Sequence, residues 1–238
     1  TPERLEDKLG QPLYGLVKTK IGEMQGYVQW DMDERLDTDL LQGSSSSEKL
    51  EIAFSKISCI TNQGNKSQVE LHSGKKIVMY GTNDVNEENR GIVVSSDDVG
   101  QIEIPWRSFA SVCFSEHHKD SGPAYNSYSN PKRLYGNVKD LTGNQYNGLI
   151  IFDKDEKWDF EQLEGIHNDL KYIIPFRNIK TIIPKNKDYT YVILRNQEKL
   201  ILGTLQDVSS KNEGLVVILS NSDSKFIDWT QIDEINFE

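Results

Sequence analysis

Along this chain, apolar and polar positions alternate in short runs. Tyr14, Leu16 and Lys18 share one face at period two, as do Val69 and Leu71 and then Ile77 and Met79. Gly22, Gly74 and Gly143 interrupt such runs where a turn would sit, which is the composition of β-hairpins. At four places the period lengthens. Ile52-x-Phe54-x-x-Ile57-x-x-Ile60 recurs as Ile104-Pro105-Trp106-x-x-Phe109-x-x-Val112, as Ile174-Pro175-Phe176-x-x-Ile179-x-x-Ile182 and as Ile227-x-Trp229-x-x-Ile232-x-x-Ile235. A step of two giving way to steps of three predicts strand, single 3₁₀ turn, strand. Pro105 and Pro175 suit a strand end, where a missing N–H costs no ladder bond. One segment departs from β patterning. Asp31-Met32-Asp33-Glu34 places Asp at an N-cap and Glu at N3, with Gly43 to stop the helix, and Asp153, Glu156 and Gly165 repeat the arrangement. This predicts a short helix in each half.

The recurrences form one register. Leu13-Tyr14-Gly15-x-Val17-Lys18 returns 121 residues later as Leu134-Tyr135-Gly136-x-Val138-Lys139, and Trp30-Asp31-x-Asp33-Glu34 returns 122 later as Phe152-Asp153-x-Asp155-Glu156. Gly81-Thr82 aligns with Gly203-Thr204, Asp84-Val85 with Asp207-Val208, Asn89-x-Gly91 with Asn212-x-Gly214 and Trp106 with Trp229. The reading is a tandem duplication in which each half holds two units of about 50 residues. Residues 1–12 form an N-terminal segment. The first half is 13–114 (units 13–61 and 68–114), and the second is 134–238 (units 134–184 and 189–238). Between them, residues 115–133 are rich in Ser, Asn, Gly and Pro without hydrophobic period and read as a linker. A 50-residue β unit buries only about 60% of its chain surface, so the two units of each half are expected to share an interface and fold together.

The strand, 3₁₀ turn and strand at the close of each unit, carried by Ile104-Pro105-Trp106 to Val112 and Ile174-Pro175-Phe176 to Ile182, resembles the closing segment of SH3-like and Sm-like small β-barrels. The resemblance implies an all-β, mainly antiparallel chain of four tandem small barrels in two homologous halves, with the short helix inserted in units 1 and 3. It covers about ten residues per unit. The acidic and aromatic ligand motif of SH3 domains and the basic RNA-facing residues of Sm proteins are missing, so those functions do not transfer.

Charge and composition narrow the partners. A net charge of -10 repels a phosphate backbone and no dense Lys/Arg cluster offsets it, so nucleic acid and anionic membrane are disfavoured. No run reaches the ~18 apolar residues of a membrane span. The chain starts at Thr1 rather than Met, which implies removal of an upstream signal peptide or tag. An acidic chain rich in Asn, Ser and Tyr suggests export to a periplasmic or extracellular space. Cys59 and Cys113 permit one disulfide without compelling it.

Candidate chemistry is sparse. Asp153, Asp155, Asp159, Glu161 and Glu164 match positions of a calcium loop, but Lys157 and Trp158 occupy a ligand position and the required glycine. The capped helix explains these carboxylates better. His117 and His118 lie in the linker, His72 and His167 are isolated, and no Cys or His spacing offers a metal set. Neither a Gly-x-Ser-x-Gly elbow nor a phosphate loop is present. Trp30, Phe152, Trp106 and Trp229, at matching positions, are expected in the core, and any exposed remainder would form a ligand platform. The sequence thus points away from an enzyme and needs no cofactor. It describes a binding or scaffold protein that presents loops and inter-unit grooves to a protein or glycan. The alternative is a metal-dependent or enzymatic site assembled between the halves from Asp31, Asp33, Asp153 and Asp155.

Overall fold

The computed structural model describes residues 10–116, 131–185 and 188–238. Most of the N-terminal segment, and most of the expected linker with His117 and His118, lie outside the described residues. Within them the chain is all-β, with twenty mainly antiparallel strands and no helix longer than a single 3₁₀ turn. No described helix is long and apolar enough to cross a membrane. The chain divides into two compact units. Unit 1 holds the described residues up to Ser95 and those of the first half from Glu103 onward, and unit 2 holds Ser96–Ile102 and the second half.

The strands of the first half are β1 (Tyr14–Thr19), β2 (Glu23–Gln29), β3 (Leu40–Ser45), β4 (Glu48–Ala53), β5 (Ile57–Asn62), β6 (Lys66–Leu71), β7 (Lys76–Tyr80), β8 (Ile92–Ser96), β9 (Gly100–Ile104) and β10 (Phe109–Phe114). The ladder of unit 1 does not follow sequence order. It runs β8–β2–β1–β10–β5–β6–β7–β3–β4, through register pairs such as Val28↔Val94, Val17↔Val112, Val112↔Ile60, Val69↔Ile77 and Ser44↔Tyr80. Strands β1, β2 and β3 therefore each pair with a later strand, β10, β8 and β7 respectively, and β5 pairs with both β6 and β10. The sheet is open, ending at edge strands instead of closing on itself.

In unit 2 the strands are β11 (Tyr135–Asp140), β12 (Gln145–Phe152), β13 (Gln162–His167), β14 (Leu170–Pro175), β15 (Ile179–Pro184), β16 (Tyr189–Leu194), β17 (Lys199–Gly203), β18 (Leu215–Ser220), β19 (Asp223–Ile227) and β20 (Ile232–Phe237). Their ladder is β19–β18–β12–β11–β20–β15–β16–β17–β13–β14. The start of β9, grouped with this unit, lies on the outer side of β14.

The alternation seen in the sequence is the alternation of burial, with Val17 and Gly15 inward on β1 and Lys18 outward. The change of period at the closing signatures gives 3₁₀ turns at Phe54–Lys56, Phe176–Asn178 and Trp229–Gln231. At Trp106 it gives a turn closed by Ser108 N–H donating to the Pro105 carbonyl at 2.8 Å. The aromatic residues of these signatures are core. Trp30 lies edge-to-face on Trp106 and Phe109, and Phe152 lies edge-to-face on Trp229 and Phe176.

The expected helices do not form. Asp31 and Met32 have φ of 47° and 60°, Asp153 and Lys154 44° and 70°, so each pair makes a left-handed two-residue turn. That turn is closed by Asp33 N–H to the Trp30 carbonyl at 2.9 Å and Asp155 N–H to the Phe152 carbonyl at 3.1 Å. The polypeptide reverses, and Glu34 and Glu156 bridge back to Trp30 and Phe152. Gly43 and Gly165 are not helix stops. They sit mid-strand in β3 and β13, where a Cβ would fall 3.0 Å from Met79 Cε and 2.7 Å from Leu202 Cβ. Residue types matched a capping box, but the Asp31 and Asp153 carboxylates accept the distant N–H groups of Arg90 and Glu213 rather than those of a following helical turn, and the positive φ at Met32 and Lys154 turns the chain back at once.

Cys59 and Cys113 are register partners on β5 and β10 and form a disulfide with Cα atoms 4.1 Å apart. The corresponding pair in unit 2 is Thr181 and Asn236, whose side chains share a hydrogen bond of 2.8 Å.

Candidate functional site

Each unit gathers carboxylates around its left-handed turn. In unit 1, the turn between β2 and β3 meets the loop between β7 and β8. The left-handed backbone turns the Asp31 side chain inward, leaving it 1% exposed. Its Oδ1 accepts the backbone N–H of Arg90 at 2.5 Å, and its Oδ2 accepts from Asn83 Nδ2 and from the Arg90 guanidinium at 3.2 and 3.3 Å. Asp84, also buried, accepts the Gln42 N–H at 2.7 Å, which ties the same loop to β3. Asp33 stays in solvent, 75% exposed at its side chain and 3.6 Å from Arg90.

Unit 2 repeats the device with different donors. Asp153 accepts from the Glu213 N–H and from Gln206 Nε2 at 2.8 Å, and Asp207 accepts the Glu164 N–H at 2.6 Å. Lys154 pairs with Glu213 at 3.0 Å on the surface. The partners of Asp31 thus lie in unit 1 and those of Asp153 in unit 2. The other carboxylates of the calcium-loop count are engaged as well: Asp159 accepts the Lys132 N–H at 3.1 Å, and Glu161 accepts the N–H groups of Lys157 and Trp158. Among the described residues, no group of three or more His, Cys, Asp or Glu is placed to hold a metal ion.

Glu34 and Glu156 sit at the centre of these clusters. Each has one carboxylate oxygen, Oε2, that is buried and without a hydrogen-bond partner among the described residues. Burial, reinforced by Asp84, Asp31 and Asp33, pushes the Glu34 carboxyl up to about 7. Burial followed by a hydrogen bond with Asp155 pushes Glu156 up to about 8. Asp207 rises to about 6, again through burial first, and burial raises Asp84 and Asp153. Desolvation disfavours the charged form, so these clusters exchange protons near neutral pH. Chemically they can stitch loops to strands and bind or release protons.

Trp30 and Phe152 are 0% exposed, Trp106 6% and Trp229 3%, so none of the four presents a ring face to solvent. Trp30 Nε1 donates to the Asp84 carbonyl at 3.0 Å, and Trp106 Nε1 to the Gly64 carbonyl at 3.0 Å. Phe152 has no donor, and in unit 2 Asn212 Nδ2 takes the matching Asp207 carbonyl at 3.1 Å. Asn89, the counterpart of Asn212, has its Nδ2 buried and unpartnered among the described residues, because the indole occupies that carbonyl.

The sequence pattern marked Glu34 and Glu156 only as helix caps and Asp84, Asn89, Asp207 and Asn212 only as recurrences, and it gave Arg90 no role. A signal existed: Asp84-Val85 and Asn89-x-Gly91 recur in the second half, although recurrence did not reveal that they face the Asp31 turn. The side chain of Asn89 receives the Gly91 N–H at 2.9 Å and that of Asn212 the Gly214 N–H at 2.8 Å, so this recurrence shapes the loop backbone. Comparison with family models, curated proteins and solved structures returns no match.

Proposed function

We propose that the chain is a non-enzymatic binding or scaffold protein, exported to an oxidising compartment, that presents strand faces and loops to a protein or glycan partner. The observation that carries this is an outward row across β15, β16 and β17. Ile183 pairs with Tyr191 and Tyr191 with Ile201, Ile201 is exposed, and the Tyr189 ring centre lies 5.8 Å from that of Tyr191. Lys199 Nζ is 4.1 Å and Lys185 Nζ 5.3 Å from the Tyr191 ring centre. Tyrosines flanked by ammonium groups suit stacking on a sugar ring or packing on an aliphatic side chain with a hydrogen bond at the rim. In unit 1 the corresponding row is Thr61, Gln68 and Val78, so the surfaces would serve different contacts.

The architecture behind this reading is a duplicated pair of SH3-like or Sm-like repeats that exchange strands, β1 and β2 being completed by β8 and β10, and β6 and β7 by β3, β4 and β5. Support for export comes from the disulfide, since such bonds persist in oxidising compartments. To test the function, the full chain and its Tyr191→Ala variant are presented to arrays of glycans and secreted proteins. A ligand whose affinity falls about tenfold or more with Tyr191→Ala, but not with Val78→Ala, supports it. Binding indifferent to Tyr191, or no ligand, counts against it.

A second reading, an acid–base or metal-dependent site, draws on the raised Glu34 and Glu156 carboxyls, because perturbed carboxyls also occur at catalytic centres. Calorimetry with calcium, magnesium and zinc separates the two. Heat that disappears in Asp31→Asn or Asp153→Asn would favour this alternative.

A further inference from the structure

In unit 2 the outer edge of β14 is covered. The start of β9 lies along it, with Gly100 so close that a Cβ there would fall 2.4 Å from the Ile173 carbonyl oxygen and 2.7 Å from Pro175 Cδ. Asn178 Nδ2 donates to the Asp97 carbonyl at 2.7 Å beside this contact. Both strands are accordingly buried, including Ile102, Leu170 and Ile173.

The counterparts of these strands are β4, matching β14 at an offset of 122, and β19, matching β9 at 123. Among the described residues β4 pairs with β3 and β19 with β18, and each leaves its other edge open. Their burial shows it: Glu48, Lys49 and Glu51 are exposed on β4, and so are Asp223, Ser224, Lys225 and Phe226 on β19. The chemistry differs in the same sense at each edge. Glu48 stands where β14 has Leu170, Glu51 where it has Ile173, Asp223 where β9 has Gly100 and Lys225 where it has Ile102.

We infer that β4 and β19 are matched sheet edges, able to join head to tail with a second copy of this chain, and that Glu48, Glu51, Asp223 and Lys225 keep them apart. An open edge offers unpaired N–H and C=O groups to any strand of the right shape, and charged side chains are a recurrent way to block it. Burying a carboxylate or ammonium without a well-placed partner is costly. A side chain at position 223 also removes the close approach that Gly100 allows. The terminal edges of stacked repeats generally carry such polar faces.

The test opens one edge at a time in the full-length chain. Glu48→Leu/Glu51→Ile opens β4, and Asp223→Gly/Lys225→Ile opens β19. By sedimentation and light scattering, the unaltered chain and each variant alone should remain monomeric, while an equimolar mixture of the two variants forms a one-to-one complex. The mixed association should be at least tenfold tighter than the self-association of either variant. Combining all four substitutions should give assemblies that grow with concentration. Circular dichroism checks folding, and the milder pair Glu51→Ile and Lys225→Ile gives the same reading if the doubles unfold. A mixture of folded variants that stays monomeric overturns the inference. So does self-association of one variant as strong as the mixture, which indicates general stickiness, and so does assembly of the unaltered chain.

Discussion

Trp30 and Phe152 fill the same place in two cores but solve one hydrogen-bond problem differently. The Asp84 carbonyl takes an indole N–H, whereas the Asp207 carbonyl takes the Asn212 amide. Since Asn89 Nδ2 lies unpartnered beside the first arrangement and is placed to take over the carbonyl, Trp30→Phe is expected to cost about 1–3 kcal/mol, the large-to-small cost of part of a buried indole, without the added penalty of an orphaned carbonyl. Trp30→Ala should cost about 3–5 kcal/mol through the cavity. Adding Asn89→Ala to Trp30→Phe should raise the cost further by about 1–3 kcal/mol, because the carbonyl then lacks any donor and the Gly91 N–H loses its acceptor. Urea unfolding of the four chains checks the order. At this scale the aromatic core was legible, since size and recurrence sufficed. The left-handed Met32 and Lys154 were not, because neither is a residue that favours positive φ. Their conformation is imposed by Asp31 and Asp153 reaching donors 59 and 60 residues away.

Strand β5 meets β10 and β15 meets β20 at the same seam, closed by the Cys59–Cys113 disulfide in one unit and by the Thr181–Asn236 hydrogen bond in the other. Removing the disulfide as Cys59→Ala/Cys113→Ala should cost about 2–4 kcal/mol. The graft Cys59→Thr/Cys113→Asn should recover about 1 kcal/mol of it, the net worth of a hydrogen bond. Melting curves of the three chains give the comparison, and equal stability of the two double variants would contradict it. Hairpins marked by Gly74 and Gly143 were readable because both adopt positive φ at their turns. The β3–β4 hairpin was not. It turns on Ser46 and Ser47, both left-handed, in a run of serines that carries no glycine or asparagine to announce it.

For the whole molecule, the raised carboxyls set the pH response. Glu34, Glu156 and Asp207 hold protons in the folded state up to about 7, 8 and 6, from ordinary values of 4.5, 4.5 and 3.8. Between those limits the folded chain binds more protons than the unfolded one, so stability falls as pH rises. Asp140 and Asp228 act oppositely: hydrogen bonds led by those from Thr142 and Thr230 hold them below the usual carboxylate range, and that contribution fades below about pH 4. Melting temperature should therefore peak near pH 5 and decline towards pH 8.5, with Glu34→Gln/Glu156→Gln flattening the decline. A melting temperature that climbs from pH 5 to 8.5 would exclude this account. The β content and alternation were legible at this scale. The ladder order was not, because alternation fixes which face a residue occupies without naming the neighbouring strand.

That order bears on how the chain is made. β3 waits for β7, β2 for β8 and β1 for β10, so a nascent chain emerging from the ribosome holds incompletely paired hairpins until residues near Val112 have followed. Distant pairings of this kind slow folding and lengthen exposure to wrong partners. Synthesis pauses placed before Ser95 are thus expected to be more hazardous to yield than pauses placed after Phe114.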